Sequence, residues 1–246
     1  MLKNFKLIIE YDGTNYHGWQ RQKEDATIQG EIEKALWVMT RNHVILNGSG
    51  RTDAGVHALG QVANFRCDTN LEPDMFQRGL NSLLPDDIVI KACRRVDDAF
   101  HARYDAVSKI YHYSIFNNPV PAAINRQYAW SIRKRLDIQA MRLAASYIIG
   151  SHDFKAFEGS GSPRAHTTRH VMVADLVETD DLRLTFRIEA DGFLRFMVRN
   201  IVGTLVDVGL GKTAPAEFNE ILKSKDRTMA GATAPAHGLC LMEVKY

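Results

Sequence analysis

The chain of 246 residues has few cysteines, and they lie far apart. There are three, Cys67, Cys93 and Cys240, and no two of them form a C-x-x-C pair. Neither a disulfide framework nor a cysteine-based zinc site is therefore indicated. This cysteine usage is typical of a protein that works in a reducing cytoplasm.

Long hydrophobic runs are also missing. No stretch approaches the roughly 20 apolar residues that a membrane-spanning helix requires. The apolar run near the N-terminus is short, and the acidic residues Glu10 and Asp12 end it, which disfavours a signal peptide. We therefore expect a soluble, cytoplasmic protein.

The chain lacks a large net charge as well. Thirty-one Lys and Arg residues oppose 29 Asp and Glu residues, which gives +2 at pH 7. A surface that binds nucleic acid would thus need local clustering of basic residues. The phosphate-binding patterns G-x-x-x-x-G-K-[ST] and G-x-G-x-x-G are absent, so neither a nucleotide nor a dinucleotide cofactor is indicated.

Glycine, in contrast, is concentrated in the stretch 48–65. Four glycines there permit tight bends and close approach of other backbone. Between them, Arg51 and Asp53 would share one side of an extended segment, with Thr52 on the other. We predict a carboxylate held by a guanidinium on a loop that a ligand can reach, anchored by a strand at 61–65. Such a pair is also typical of a structural clamp on a turn, and spacing alone does not decide.

The hydrophobic pattern predicts an α+β fold. Helical periodicity and caps indicate helices at 28–39, 73–84, 137–149, 193–208 and 217–222. Alternating or β-rich runs indicate strands at 5–11, 61–65, 88–91, 93–96, 108–115, 171–178, 182–188 and 239–244. We predict two similar α+β halves, 1–105 and 106–246, that share a mostly antiparallel central sheet. Helices would pack on one face of that sheet, and a cleft would lie between the halves.

Two stretches of the second half suit contact with RNA, although each has a structural alternative. The strand at 108–115 places Lys109, Tyr111 and Tyr113 on one face, which suits base stacking and equally suits a sheet surface under a helix. The polar loop 159–169 carries basic side chains among hydroxyls: Arg164, His166 and Arg169. They suit a phosphate backbone, but the same composition is common in a flexible surface connection.

Motifs along nearly the whole chain resemble those of the tRNA pseudouridine synthase A family. The most specific is R-T-D-A-G-V-H-A at 51–58, followed by G-Q-V-A at 60–63. The others follow in family order, at 11–14, 18–22, 81, 84–85, 100–103, 108–113, 197–203 and 234–239. We find no departure from the family pattern at a catalytic position.

The resemblance implies a homodimeric, cofactor-free enzyme that converts uridine to pseudouridine in the anticodon arm of tRNA, at nucleotides 38–40. Asp53 then corresponds to the catalytic aspartate, and Arg51 to the residue that pairs with it and could fill the space of a flipped base. Tyr111 corresponds to the tyrosine that stacks on that base. Arg199 corresponds to a second arginine that holds the carboxylate, and Leu239 to an apolar residue of the pocket.

Further basic residues are predicted to contact tRNA: Arg103, Lys109, Arg164 and Arg169. No metal is expected, because the histidines lack metal-ligand spacing, and His57 is expected to be a structural residue of the loop. Whether Asp53 attacks the sugar, attacks the base or assists proton removal from the sugar stays open. Two rival functions stay open as well. One is an RNA-binding module or tRNA chaperone with a structural loop. The other is a hydrolase with an aspartate nucleophile, which would normally require clustered carboxylates around a metal.

Overall fold

The chain folds into two compact units, each of which combines a sheet with helices. The structure is a computed structural model that describes residues 2–159, 161, 166–179 and 183–246. One unit is Met1–Val107 together with Cys240–Tyr246, and the other is Ser108–Leu239. The predicted α+β class is confirmed. The division into halves at residue 105 and the cleft between them stay predictions.

The described residues contain both kinds of secondary structure throughout. The helices are α1 (Ile28–Thr40), α2 (Pro73–Leu83), α3 (Ile138–Ser146), α4 (Met197–Gly209) and α5 (Pro215–Ser224). The strands are β1 (Leu2–Tyr11), β2 (Asn47–Gly48), β3 (His57–Asp68), β4 (Ile88–Val96), β5 (Ser108–Asn117), β6 (Trp130–Ile132), β7 (Gly150–Asp153), β8 (Thr168–Glu178), β9 (Arg183–Ala190) and β10 (Leu239–Lys245). No helix among the described residues is long and apolar enough to span a membrane.

In the first unit, β1 lies between β3 and β4 and is antiparallel to both. β2 adds to β3 in antiparallel fashion, and β10 adds to it in parallel. Phe5 lies opposite Phe65, and their ring centroids are 5.3 Å apart. Phe76 of α2 packs on both rings, at 4.8 and 5.2 Å. These buried rings fix α2 on one face of the sheet.

The helices of the first unit begin where the sequence predicts. The side chain of Thr27 caps α1 by accepting a hydrogen bond from the backbone three residues later, at 3.3 Å. The helical periodicity of 73–84 predicts an inner face of Met75, Phe76, Leu80, Leu83 and Leu84. Phe76 and Leu80 are buried, whereas Met75 and Leu83 are 43% and 45% exposed. That part of the prediction was wrong, because a helix that packs on a sheet buries only a narrow stripe of its surface.

The sheet of the second unit follows the order β5–β9–β8–β7, with antiparallel neighbours, and β6 adds to β5 in parallel. The predicted helix at 137–149 is α3, and the side chain of Asp137 caps it by accepting a hydrogen bond from the Ala140 N–H. The predicted helix at 193–208 begins later, at Met197, because Phe196 has a left-handed backbone with φ of 60°. Arg195 therefore precedes α4 and does not lie on it. The sequence also predicts a hairpin turn at Asp180 and Asp181, between the strands at 171–178 and 182–188. These two residues lie outside the described ranges.

Candidate active site

The loop that carries Asp53 is attached to neighbouring segments through Thr52, the residue before Asp53. The Thr52 side chain is buried, and its Oγ1 lies 2.8 Å from the hydroxyl oxygen of Tyr11 at the end of β1. The Thr52 carbonyl accepts a hydrogen bond from the backbone N–H of Trp19 at 3.1 Å. Burial raises the pKa of Tyr11 well above its ordinary value, against the opposing effect of its hydrogen bonds, so the hydroxyl stays protonated. The hydroxyl and the carbonyl of Thr52 thus both have fixed partners.

Two glycines let the segment that follows β1 approach the loop closely. Gly18 has φ of 90°, and a Cβ at that position would lie 2.6 Å from the Thr52 carbonyl oxygen. A Cβ at Gly13 would lie 2.0 Å from the carbonyl oxygen of Val56. Neither space can hold a side chain, so both motifs near the N-terminus require glycine for packing against the loop.

A second hydrogen-bond network holds the start of the loop. Gln61 is completely buried on β3, and its Oε1 accepts a hydrogen bond from the Ser49 hydroxyl at 2.7 Å. Its Nε2 donates to the Gly50 carbonyl at 3.1 Å. A buried amide whose donor and acceptor are both used fixes the backbone around it. The loop is therefore tied to β3 before Asp53 and to the 11–19 segment at Thr52.

The side chains along the loop alternate as the sequence predicts. Thr52 is buried, Arg51 is exposed and Asp53 is half-buried. The carbonyl of Asp53 accepts a hydrogen bond from the Val56 N–H at 3.2 Å, which closes a turn behind the carboxylate. The predicted ion pair between Arg51 and Asp53 is not formed: Arg51 takes part in no ion pair with any described residue. An exposed guanidinium gains little from such a pair in water.

His57 lies at the first position of β3, directly after this turn, and is buried. Its Nδ1 lies 3.0 Å from Oδ1 of Asp12 and 3.1 Å from the backbone nitrogen of Gly13. These contacts tie the start of β3 to the turn after β1. They support the structural role expected for His57.

In the second unit, Tyr111 and Tyr113 project from the same face of β5, and both are buried. The Tyr111 ring meets Phe193 edge-on, with centroids 5.0 Å apart and planes at 82°. Tyr113 is completely buried and donates its hydroxyl to the Pro235 carbonyl at 2.8 Å. Burial raises its pKa, and the positive charge of Arg199 opposes that effect only in part. For Tyr113, the sheet-surface alternative is the correct one.

Arg199 lies in the first turn of α4 and is held by both backbone and ring contacts. Its Nε donates to the Ala234 carbonyl at 2.8 Å, and its own carbonyl accepts from the Ala234 N–H at 3.1 Å. The guanidinium carbon lies 5.1 Å from the centre of the Phe196 ring. Arg199 and Tyr113 therefore both fasten the segment at 234–235, which leads to the buried Leu239.

The remaining predicted RNA contacts lie in both units. Arg103 is exposed in the first unit, and Lys109 is half-buried on β5. Arg169 lies on β8, where its guanidinium donates to the Thr168 carbonyl at 2.5 Å. Arg164 lies outside the described residues.

The sequence motifs do not reveal which residues hold the loop that carries Asp53. Tyr11, Trp19 and Gln61 belong to family-like motifs, but the motifs alone do not indicate that they hold this loop. The alternation along β1 carries a signal for Tyr11, because it places that polar ring on the same inward side as Phe5. No group of three or more His, Cys, Asp or Glu side chains among the described residues could hold a metal ion.

Known proteins resemble this chain over its full length. A family model described as tRNA pseudouridine synthase matches residues 7–105 and 144–246, which confirms the predicted repetition of similar halves. The tRNA pseudouridine synthase A of Acetivibrio thermocellus is 50% identical and that of Thermoanaerobacter sp. (strain X514) is 49% identical. Both alignments cover 100% of each chain.

A solved structure titled "Crystal Structure of a Cbf5-Nop10-Gar1 Complex" aligns with 96% of this chain and 57% of that chain. The two are 14% identical, and the TM-score is 0.35, a likeness too weak to carry an argument. The family match and the full-length relatives at about half identity carry the assignment instead. The chain therefore belongs to the tRNA pseudouridine synthase family.

Proposed function

We propose that this chain isomerises uridine to pseudouridine in the anticodon arm of tRNA, at nucleotides 38–40, with Asp53 as the catalytic carboxylate. Family membership supports the reaction and the class of substrate. The observation that carries the role of Asp53 is its loop, which the buried side chains of Tyr11 and Gln61 hold in place through hydrogen bonds. Such preorganisation is what a catalytic group requires.

The reaction changes the atom through which the uracil base is joined to the ribose. The glycosidic bond between N1 and C1′ breaks, and a carbon–carbon bond between C5 and C1′ forms. C5 loses its hydrogen to water and N1 gains a proton, so atoms and electrons balance without an oxidant, reductant or hydrolytic water. A carboxylate can serve as a nucleophile or stabilise positive charge at C1′. Sugar attack, base attack and assisted proton removal from the sugar are all compatible with this role for Asp53.

A uridine inside a stem must first leave the base stack. In this proposal Arg51, whose side chain is exposed beside Asp53, fills the vacated space. Tyr111 stacks on the extruded base, and Leu239 supplies apolar pocket surface. Arg199 holds the Asp53 carboxylate.

Basic side chains and the association of two chains would both contribute to tRNA binding. Arg103, Lys109, Arg164 and Arg169 would contact phosphates. We propose a homodimer, since the net charge of +2 favours a basic surface assembled from two chains. The reaction would take place in the cytoplasm and need no cofactor.

Mass-spectrometric mapping of prefolded tRNA after incubation with the purified chain tests this function. We expect pseudouridine at nucleotides 38, 39 or 40, with the same yield in excess chelator. Unmodified RNA would favour a chaperone, and release of free uracil or phosphate would favour a hydrolase. Either result, or turnover that stops in chelator, contradicts the proposal.

A further inference from the structure

The segment that follows β4 is fixed against one face of the first unit's sheet by buried amides. Asn4 donates from Nδ2 to the carbonyls of Asp97 and Phe100, at 2.9 and 2.8 Å. Asn64 accepts from the backbone N–H of Ala102 at 2.9 Å. Asn4 is 1% exposed and Asn64 is 2% exposed. The backbone of this segment is therefore anchored, although it lies outside any helix or strand.

The anchored segment displays an aromatic side chain to solvent. Tyr104 is 74% exposed. Its ring centroid lies 4.3 Å from that of His101, and the Arg103 guanidinium carbon lies 5.8 Å from the ring centre. The turn is closed by hydrogen bonds from the backbone N–H groups of Tyr104 and Asp105 to the His101 carbonyl, at 3.2 and 3.1 Å. We call His101, Arg103 and Tyr104 the 101–104 surface.

The His101 ring is held by the backbone of the same turn. Its Nδ1 accepts a hydrogen bond from the backbone N–H of Arg103 at 3.1 Å. Two acidic groups of the same segment are also committed to backbone. Asp105 accepts from the His101 N–H at 2.9 Å, and Asp97 accepts from the Ala99 N–H at 2.8 Å.

Further cations lie on the face of the sheet against which this segment is anchored. Lys6 lies directly opposite Arg94, and Arg66 lies opposite Asn4, two residues before Lys6. Like charges directly opposite each other destabilise a sheet. Burial, together with the charge of Arg94, lowers the pKa of Lys6. The rings of Tyr246 and Phe100, at 3.9 and 5.1 Å from the Lys6 ammonium, offset part of this cost.

No carboxylate of the described residues lies within ion-pair distance of these cations. Lys6, Arg66, Arg94 and Arg103 form no ion pair with any residue in the described ranges. Cations without a paired carboxylate are complementary to a polyanion.

We infer that Tyr104 stacks on an unpaired base of the RNA substrate, while Arg103 and the Lys6–Arg94 pair contact the adjoining phosphates. This inference rests on the proposed function for the identity of the RNA. Aromatic rings beside cations are the usual platform for single-stranded nucleic acid, because every base offers a π-face. The anchored backbone lowers the ordering cost of binding.

A protein partner fits this surface less well. Protein interfaces centre on a contiguous apolar patch, whereas the neighbours of Tyr104 here are His101, Arg103 and Asp105. A second copy of the chain would bring the same cations and would meet like charge.

The test compares tRNA dissociation constants of full-length variants over a series of salt concentrations. We expect Tyr104→Ala to weaken binding about 5- to 150-fold, as for the loss of one stacked base, without changing the salt dependence. Tyr104→Phe should stay within about twofold of the unmodified chain. Arg94→Gln should reduce the salt slope by about 0.7 to 0.9.

Trp37 provides a matched control, because its ring is 43% exposed and lies 5.2 Å from the guanidinium of Arg41. Trp37→Ala should leave tRNA affinity unchanged, and an equal loss in both Ala variants would overturn the inference. So would unchanged affinity in Tyr104→Ala, or altered sedimentation of that variant with normal tRNA affinity, which would assign the surface to a second copy. Pseudouridine formation by the unmodified chain is measured separately, so failure of this inference is distinct from failure of the proposed function.

Discussion

At the scale of single residues, Asp53 is positioned through Thr52, whose hydroxyl and carbonyl both have buried or backbone partners. The carboxylate itself is half-buried, and its backbone closes the turn with Val56. Loss of the hydrogen bond between Tyr11 and Thr52 would let the loop move. The Asp53 carboxylate would still be present, but its position would be less well fixed. Displacements of this kind change the rate of the chemical step more than they change binding.

Thr52→Val tests this positioning. We expect kcat to fall about tenfold, equivalent to about 1.4 kcal/mol, while the tRNA dissociation constant stays within about twofold. The free energy of unfolding should fall by about 1–3 kcal/mol, because the Tyr11 hydroxyl loses a buried partner. Thr52→Ser keeps the hydroxyl and should retain most of the rate. Unchanged kcat in Thr52→Val would contradict the positioning role even if stability falls.

Tyr111 is the second residue whose role can be separated by substitution. Its ring already packs edge-on against Phe193, so a flat aromatic surface is held in place. If stacking dominates, Tyr111→Phe should keep most activity and Tyr111→Ala should lose about 1–3 kcal/mol of base-stacking energy. Steady-state rates on tRNA measure both. Equal and near-complete loss would make the hydroxyl essential, and no loss in either variant would reject the assignment.

At the scale of elements, one carboxylate joins the two ends of the basic loop between β7 and β8. Asp153 accepts hydrogen bonds from the Lys155 N–H, at 3.1 Å, and from the Thr167 hydroxyl. Its other oxygen lies 3.0 Å from the Lys225 ammonium. Burial alone would raise the pKa of Asp153, but these hydrogen bonds and the charge of Lys225 outweigh it and lower the pKa.

The lowered pKa predicts how the stability of this element depends on pH. Because the folded-state pKa lies below the unfolded value of about 3.9, Asp153 stabilises the fold above that pH and loses its effect as pH falls through the folded-state pKa. Asp153→Asn should cost about 1 kcal/mol at pH 7 and much less at pH 3, measured by urea unfolding. Asp74, in an exposed ion pair with Arg78, is the control, and Asp74→Asn should change little. An Asp153→Asn difference that is the same at both pH values would contradict this account.

The sequence predicts the elements well because their signals are local. The cap at Thr27 and the inward alternation of Phe5 and Phe65 involve only neighbouring residues. The sequence does not predict the start of α4, because a left-handed backbone is uncommon for a bulky residue such as Phe196.

In the candidate site, too, the sequence predicts the local features and misses the contacts between distant residues. Asp53 was identified by its motif, and the alternation around Thr52 followed from an extended backbone. The partners that hold the loop could not be predicted, since Tyr11 is 41 residues from Thr52 in sequence. The predicted ion pair between Arg51 and Asp53 is not formed. Spacing along an extended segment shows on which side two charges lie, but it does not give the distance between them.

At the scale of the whole molecule, the proposal requires two chains. We expect a homodimer at micromolar concentration by sedimentation, with residues of both subunits needed for tRNA binding. The reason is the family resemblance together with a net charge of +2, which leaves one chain with little basic surface in excess. A fully active monomer would contradict this expectation.

The central claim is that the Asp53 carboxylate carries out the isomerisation of uridine. Its most direct test is the release of tritium from tRNA labelled at C5 of uridine, because this hydrogen leaves only when C5 bonds to C1′. We predict one tritium released per modified uridine with the unmodified chain. Asp53→Asn should release none above background, with its tRNA dissociation constant within a few-fold, because affinity comes mostly from phosphate contacts. Normal tritium release by Asp53→Asn would contradict the account.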